Sequence, residues 1–401
     1  MKSKIKIISL LVLMSIVCAS LSSCLFFDAV TGVTSSDKGG SDATINTGDI
    51  HNYEIDIAPS AEQNVIATSK ALMSAVSIVT DVARGSGVIF KLSDDKSEAY
   101  ILTNYHVIYG AKGGIKVYLY GQESYLFGSE DTMSYAIDAY YLGGSVAYDL
   151  AVLKVKNDPV LMASNAVACT FADSNDIAVL ETAIAVGNAT GNGISATVGR
   201  VNVDSEYISL YAADEKTLIN LRVMRTDAAV NEGNSGGGLF NSSGELIGIV
   251  NAKSIDSKVD NIGFAIPSNV ARYIAENIIY YCDGESTLSS AYKCMLGITV
   301  QIAGLYTEYD EESGILHRKE LVEVLDVNRG AAADGILKSG DIVNSITIDG
   351  KKYEVTRRFH VVDAMLNARA TSDVTVNVTR GEEKLDLKIT LSNKDIVNAD
   401  G

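Results

Sequence analysis

From residue 65 onward, apolar and polar residues alternate over short stretches separated by Gly, Asn and Asp. These stretches span 75–79, 87–91, 99–103, 116–119, 150–155, 182–186, 221–225, 246–250 and 262–266. A period of two buries one face of a segment and leaves the other in solvent, as in half-buried strands. Many such strands at modest spacing predict a mainly β domain built as two stacked Greek-key barrels. The period changes at 268–281. There Val270, Ile274 and Ile278 recur at helical spacing, and Ser268 or Asn269 can cap the helix. This helix is expected to close the domain.

The alternation resumes at 297–301, 321–327, 342–348, 373–379 and 385–391, with 360–369 reading as a helix. The expected organisation is a first β domain over 63–282, a polar linker over 283–292, a second compact unit over 293–393 and a tail over 394–401. Residues 1–24 read as an export signal. Lys2, Lys4 and Lys6 precede an apolar run from Ile7 to Ala19, and Leu21-Ser22-Ser23-Cys24 follows. That ending resembles a bacterial lipobox. Acylation of Cys24 is therefore expected, tethering an extracytoplasmic chain to a membrane of the cell envelope. Residues 25–62, rich in Ser, Thr, Gly and Asp, read as a flexible stalk.

An apolar share of 47% and a charged share of 21% allow sizeable buried cores. The net charge of -17 repels phosphate backbones, so nucleic acid is not an expected partner. Of the 5 cysteines, Cys18 leaves with the signal and Cys24 takes the lipid. Cys169, Cys282 and Cys294 are an odd remainder without metal-ligand spacing. Free thiols are expected, with a Cys282–Cys294 bridge as the open alternative.

The candidate chemistry lies at strand ends. His106 follows the run 99–103, Asp149 precedes the run 150–155, and Ser235 sits in Asn231-Glu-Gly-Asn-Ser-Gly-Gly-Gly238. A hydroxyl becomes a useful nucleophile when an imidazole takes its proton and a carboxylate orients that imidazole. Among the 4 histidines only His106 falls in the first β domain. His106 is thus the candidate base, Asp149 its orienting acid and Ser235 the nucleophile. The glycines around Ser235 let the backbone aim N–H groups at a developing oxyanion.

Thr103-Asn-Tyr-His106, Asp149-Leu-Ala-Val152, Thr226-Asp-Ala-Ala229 with Gly233-Asn-Ser-Gly-Gly237, and Gly263-Phe-Ala-Ile-Pro267 together resemble the HtrA/Deg family of serine proteases. The resemblance covers roughly 65–393. It implies a chymotrypsin-like double barrel over 63–282, a PDZ domain over 293–393 and a triad of His106, Asp149 and Ser235. It also implies an oxyanion hole at Gly233, Asn234 and Ser235, with the Gly233 and Ser235 amides as donors. Ala229 and Val230 fall where this fold builds the pocket for the residue before the cut. Without a carboxylate there, that pocket should favour small or medium aliphatic residues. Val250, Asn251 and Ala252 are expected to hold the substrate backbone as an added strand.

In the second unit the amides of Leu296, Gly297 and Ile298 are expected to capture a peptide's terminal carboxylate, with helix 361–369 as the other wall. The family further implies unfolded or damaged extracytoplasmic proteins as substrates, a homotrimer, and neither metal nor organic cofactor. Two departures stand out: Glu232 and Gly238 occupy positions where the family usually has proline. They predict a softer serine loop and an oxyanion hole left unset without ligand. Two other functions stay open: a non-catalytic peptide-binding chaperone, and a protease latent until a peptide fills the second unit's groove.

Overall fold

Two rings of antiparallel strands close on themselves. In the first, β1 (Ala75–Val79), β2 (Arg84–Leu92), β3 (Glu98–Thr103), β4 (Ile115–Leu119), β5 (Ile137–Ser145) and β6 (Leu150–Lys156) lie in the order β5-β4-β1-β2-β3-β6, and β5 pairs with β6. The second contains β8 (Thr182–Gly187), β9 (Ser195–Tyr211), β10 (Leu218–Thr226), β11 (Gly238–Phe240), β12 (Glu245–Asn251) and β13 (Gly263–Pro267). Its order is β11-β8-β9-β10-β13-β12, and β11 pairs with β12. After a one-turn α3 (Pro159–Met162), a short β7 (Thr170–Phe171) adds to β12 in parallel. The computed structural model describes residues 61–122, 135–252, 262–282, 289–311 and 314–400, all in one contact unit spanning Ala58–Gly401. The signal, Cys24 and the stalk up to residue 60 lie outside the described residues. Among the described residues no helix is long and apolar enough to cross a membrane.

Each barrel has its own core: Ile78, Ile89, Ile101 and Leu153 in the first, Ala183, Leu239, Val250 and Ala265 in the second. A larger cluster joins them. It combines Val88 and Val152 with Val186 and Phe240, and takes in α4 (Ser268–Tyr281) through Val270, Ile274 and Ile278. α4 thus closes the domain as its periodicity predicts. Neither expected cap operates. Pro267 takes the N-cap position, while Ser268 donates to the Ala172 carbonyl and Asn269 to Asp173, tying the helix to that loop.

Among the elements that escape sequence periodicity are a helix and two strands of the barrel domain. α1 (Ala61–Ser74) begins inside the expected stalk and buries Ala67 and Ala71 in the shared core. β5 ends in Gly143-Gly144, which reads as a turn, yet both glycines pair with β6. β9 carries Asn202, Asp204, Ser205 and Glu206 in its middle. It is stabilised by ladders to β8 and β10 rather than by an apolar face.

The C-terminal sheet contains β16 (Ile298–Tyr309), β17 (Leu316–Val327), β18 (Ile342–Ile348), β19 (Lys351–Glu354), β20 (Asp373–Arg380) and β21 (Glu383–Thr390). Its order is β16-β17-β18-β20-β21, with β19 on β18. Its core contains Val322, Val324, Ile346, Val376 and Val378. α5 (Phe359–Met365) is shorter than the expected 360–369. The Leu366 carbonyl is taken by Asn277 and Arg369, and the Ala368 carbonyl by Arg369, so the helical ladder stops there.

The stretches expected as linker and tail are built into the fold. β14 (Ser289–Ser290) pairs with Gly143 and Gly144 of β5, and β15 (Tyr292–Cys294) pairs with β22 (Ile396–Asn398). Asn277 accepts the Tyr292 N–H at 2.7 Å, and Ala291 and Ala399 enter the barrel core. Across the same seam Arg222 of β10 donates to Asp363 of α5 at 2.5 Å, with its guanidinium 4.0 Å from the Phe359 ring centroid. Arg357 bridges Asp204 at 3.0 Å and Glu320 at 3.2 Å. Cys169, Cys282 and Cys294 are free thiols.

Candidate active site

β3 and β6 are paired to their ends, with Thr103 opposite Ala151. Residues just past β3 therefore meet residues just before β6. There α2 (Tyr105–Ile108) begins. The Asp149 carbonyl accepts from Tyr105 N–H at 3.1 Å and from Asn104 Nδ2 at 2.9 Å. Its carboxylate accepts the His106 N–H on Oδ1 at 3.0 Å, and Oδ2 lies 2.6 Å from His106 Nδ1. A carboxylate offers only acceptors, so Nδ1 carries the proton and Nε2 keeps its lone pair. Asp149 is 3% exposed and sits at φ +48°, a left-handed conformation that surrounding bonds must hold in place.

Asn251 also reaches this carboxylate, donating Nδ2 to Oδ2 at 2.9 Å. The sequence reading assigns Asn251 only a backbone role. Its side-chain contact spans 102 positions and leaves no local signal. The next residue, Ala252, donates its N–H to Ser235 Oγ at 3.2 Å. Adjacent residues at the end of β12 thus touch the acid and the hydroxyl. His106 and Asp149 are in direct contact, whereas the Ser235 hydroxyl accepts the Ala252 N–H and forms no hydrogen bond to His106 among the described residues.

The serine loop is braced rather than soft. Ser86 N–H donates to the Ser235 carbonyl at 2.8 Å, and its hydroxyl donates to the Gly233 carbonyl at 2.7 Å. Glu232, in place of proline, has its carbonyl held by Thr190 N–H at 2.8 Å. That contact turns the Glu232–Gly233 peptide so that the Gly233 N–H faces away from it. Gly233 has φ +93°, and a Cβ there would lie 2.2 Å from the Asn188 carbonyl oxygen. Gly238 leaves room for the Phe240 ring, which an added Cβ would approach to 2.2 Å. The amides of Gly233 and Ser235 have no acceptor among the described residues. The Asn234 N–H is different: it donates to the Asn231 carbonyl at 3.0 Å, so it is not a free donor. Ser86, Asn188 and Thr190 went unread, although the Gly85-Ser86-Gly87 run was visible as a close-approach signal.

The expected substrate-binding residues divide. Ala229 is exposed, and Val230 is half-buried, with its Cγ2 2.7 Å from where a Gly263 Cβ would stand. Val250 is corrected. Its N–H donates to Gly237 at 2.8 Å and its carbonyl accepts from Gly236 at 2.9 Å, so neither group is left for a substrate strand. The serine loop's need for close backbone support consumes them.

In the C-terminal unit the N–H groups of Leu296 and Gly297 have no acceptor among the described residues. Asn328 N–H donates to the Gly297 carbonyl at 2.8 Å, which makes Ile298–Val327 a non-bonded pair of the ladder. The Ile298 N–H therefore points to the free edge of β16. Gly297, at φ +74°, leaves no room for a Cβ, which would lie 2.1 Å from that of Ala331.

Residues 85–249 match the trypsin-like peptidase domain. The chain is 33% identical over 323 residues to the serine protease Do-like HtrA of Bacillus subtilis, spanning 79% of this chain and 65% of that relative. It is 30% identical over 337 residues to the serine protease Do-like HtrA of Lactococcus lactis, spanning 79% and 72%. Among solved structures, the HtrA-type protease AlgW with tripeptide aligns with a TM-score of 0.52 at 28% identity, covering 82% of this chain and 96% of that one. The closed double barrel, the serine loop and these relatives agree: the chain belongs to the HtrA family of serine endoproteases.

Proposed function

We propose that the chain cleaves peptide bonds of unfolded or damaged extracytoplasmic proteins through an acyl-enzyme on Ser235. His106 Nε2 takes the hydroxyl proton as Ser235 Oγ attacks the carbonyl carbon, then returns it to the leaving amine. Asp149 holds the imidazole and stabilises its protonated form. The Gly233 and Ser235 amides receive the oxyanion, and removing one such donor typically costs about 10²–10³ in turnover. Water then repeats the attack on the acyl group. The observation that carries this reading is the 2.6 Å contact between His106 Nδ1 and Asp149 Oδ2, beside two backbone donors left free at the serine. Ala229 and Val230, apolar where a carboxylate would select basic residues, favour small aliphatic residues before the cut. In the full chain, Ser235→Ala should abolish casein cleavage without changing thermal unfolding. Undiminished cleavage by that variant rules the reading out.

One observation favours a latent ground state. Ser235 Oγ accepts the Ala252 N–H and has no hydrogen bond to His106 among the described residues, so hydroxyl and imidazole must come together before His106 can take its proton. We read the C-terminal unit as a PDZ domain whose Leu296, Gly297 and Ile298 amides take a peptide's terminal carboxylate and raise activity. Adding C-terminal peptides should increase the cleavage rate, and an unchanged rate counts against this regulation. Lipidation at Cys24, envelope localisation and a homotrimer complete the proposal. Mass spectrometry of the mature N-terminus and sedimentation of the full chain test these features.

A further inference from the structure

The β5–β6 loop, residues 146–149, ends in Asp149. Ser145 pairs with Leu150 at its base, and Asp149 N–H donates to the Val146 carbonyl at 3.2 Å. A segment distant in sequence grips this loop. Asp400 Oδ1 accepts the Ser145 hydroxyl and the Ala147 N–H, the latter at 3.0 Å. Ser145 Oγ in turn accepts the Tyr148 N–H at 3.3 Å. One carboxylate oxygen therefore holds the base and the middle of the turn that delivers Asp149 at φ +48°.

Asp400 is itself anchored. Its N–H donates to Asn398 Oδ1 at 2.9 Å, Ala399 N–H donates to the Ala291 carbonyl at 2.9 Å, and β22 pairs with β15. Ala399 is 3% exposed and packs in the shared barrel core. Lys293 Nζ reaches the Ala399 carbonyl at 3.4 Å. The ionisable side chains facing Asp400 are Tyr105 on α2, Tyr141 on β5 and Tyr148 in the loop. Burial raises the pKa of all three phenols, so they stay neutral.

We propose that Asp400 is a positioning residue for proteolysis, setting the β5–β6 loop so that Asp149 meets His106. The proposal rests on the triad reading above. A loose loop leaves His106 with a poorly held carboxylate, which destabilises its protonated form. The acid limb of kcat/KM then moves to lower pH, and kcat falls.

The test compares Asp400→Ala, Asp400→Asn and Ser145→Ala in the full chain on a peptide substrate. Asp400→Ala and Ser145→Ala should each lower kcat about tenfold, with KM little changed and the acid limb shifted down. Their double variant should lose little more than either alone, because both remove one bond. Asp400→Asn keeps an acceptor oxygen for both donors and should recover most of the rate. Folded Asp400→Ala and Ser145→Ala proteins with wild-type kcat and pH limb overturn the proposal. So does a loss of rate with an unmoved limb and no rescue by asparagine, which would make the contact merely structural. If Asp400→Ala fails to fold, Ser145→Ala decides, since it removes a single hydroxyl. Retained cleavage by Ser235→Ala would instead sink the triad reading, whatever Asp400 does.

Discussion

Asn251 donates a side-chain N–H to Asp149 Oδ2 at 2.9 Å, the same oxygen that faces His106 Nδ1. The carboxylate is almost sealed from water, so this bond orients an otherwise poorly solvated charge. Asn251→Ala should lower kcat about tenfold, near the 1.5–3 kcal/mol typical of hydrogen bonds to charged groups. KM should change little, because the contact does not touch substrate. Steady-state kinetics on a peptide substrate measure both; an unaltered kcat would deny Asn251 its orienting role.

Gly233, whose N–H we propose as an oxyanion donor, takes a conformation that only glycine adopts without strain. An alanine there meets the Asn188 carbonyl at 2.2 Å as well as an unfavourable φ of +93°. Gly233→Ala should therefore displace the donor and cost about 10²–10³ in kcat, with Ser235 still present. A fully active variant would show that the hole does not depend on this peptide.

His360 is buried, accepts the Thr356 N–H at 3.2 Å, and packs against Phe359. Burial, reinforced by Arg222 and Arg357, lowers its pKa to about 3. In the unfolded chain it titrates near 6.5. Between those values the unfolded state binds more protons, so stability falls as pH drops below about 6.5, by at most about 1.4 kcal/mol per unit. Above that range His360 has no effect. Urea unfolding of wild type and His360→Gln at neutral and mildly acidic pH isolates the effect, since carboxylate contributions are common to both. Equal pH slopes would contradict it.

Arg222 and Asp363 form a buried ion pair across the seam between the second barrel and α5. Truncating Asp363 to alanine leaves a buried guanidinium unpaired and should cost about 3–5 kcal/mol. Replacing both residues by leucine should recover much of that loss, because two desolvated charges vanish together. Differential scanning calorimetry reads both changes. An Asp363→Ala protein with wild-type Tm would mean that the seam is held by its other contacts.

The barrels and the meeting of His106 with Asp149 are legible because each rests on a local signal: alternation for the strands, and strand ends for the two residues. What escaped depends on distant partners. Ser86 reaches Gly233 across 147 positions, and Asp400 reaches Ser145 across 255. The softness expected from Glu232 and Gly238 did not materialise, because Thr190 holds one carbonyl and the Phe240 ring fills the space at the other. β9 went unread for a related reason: its neighbours' ladders hold it in place, and its own composition is too polar to alternate. Residues 289–292 read as part of a linker because Ser289 and Ser290 carry no apolar pattern, although these two serines pair with β5.

The account's central claim is a proton relay from Ser235 to His106, steadied by Asp149. Mass spectrometry after treatment of the full chain with a fluorophosphonate, with and without C-terminal peptide, tests it most directly. The prediction is a single adduct on Ser235 whose formation collapses in His106→Ala. Equal labelling of Ser235 in the two proteins, or no labelling of folded wild type under either condition, would contradict it.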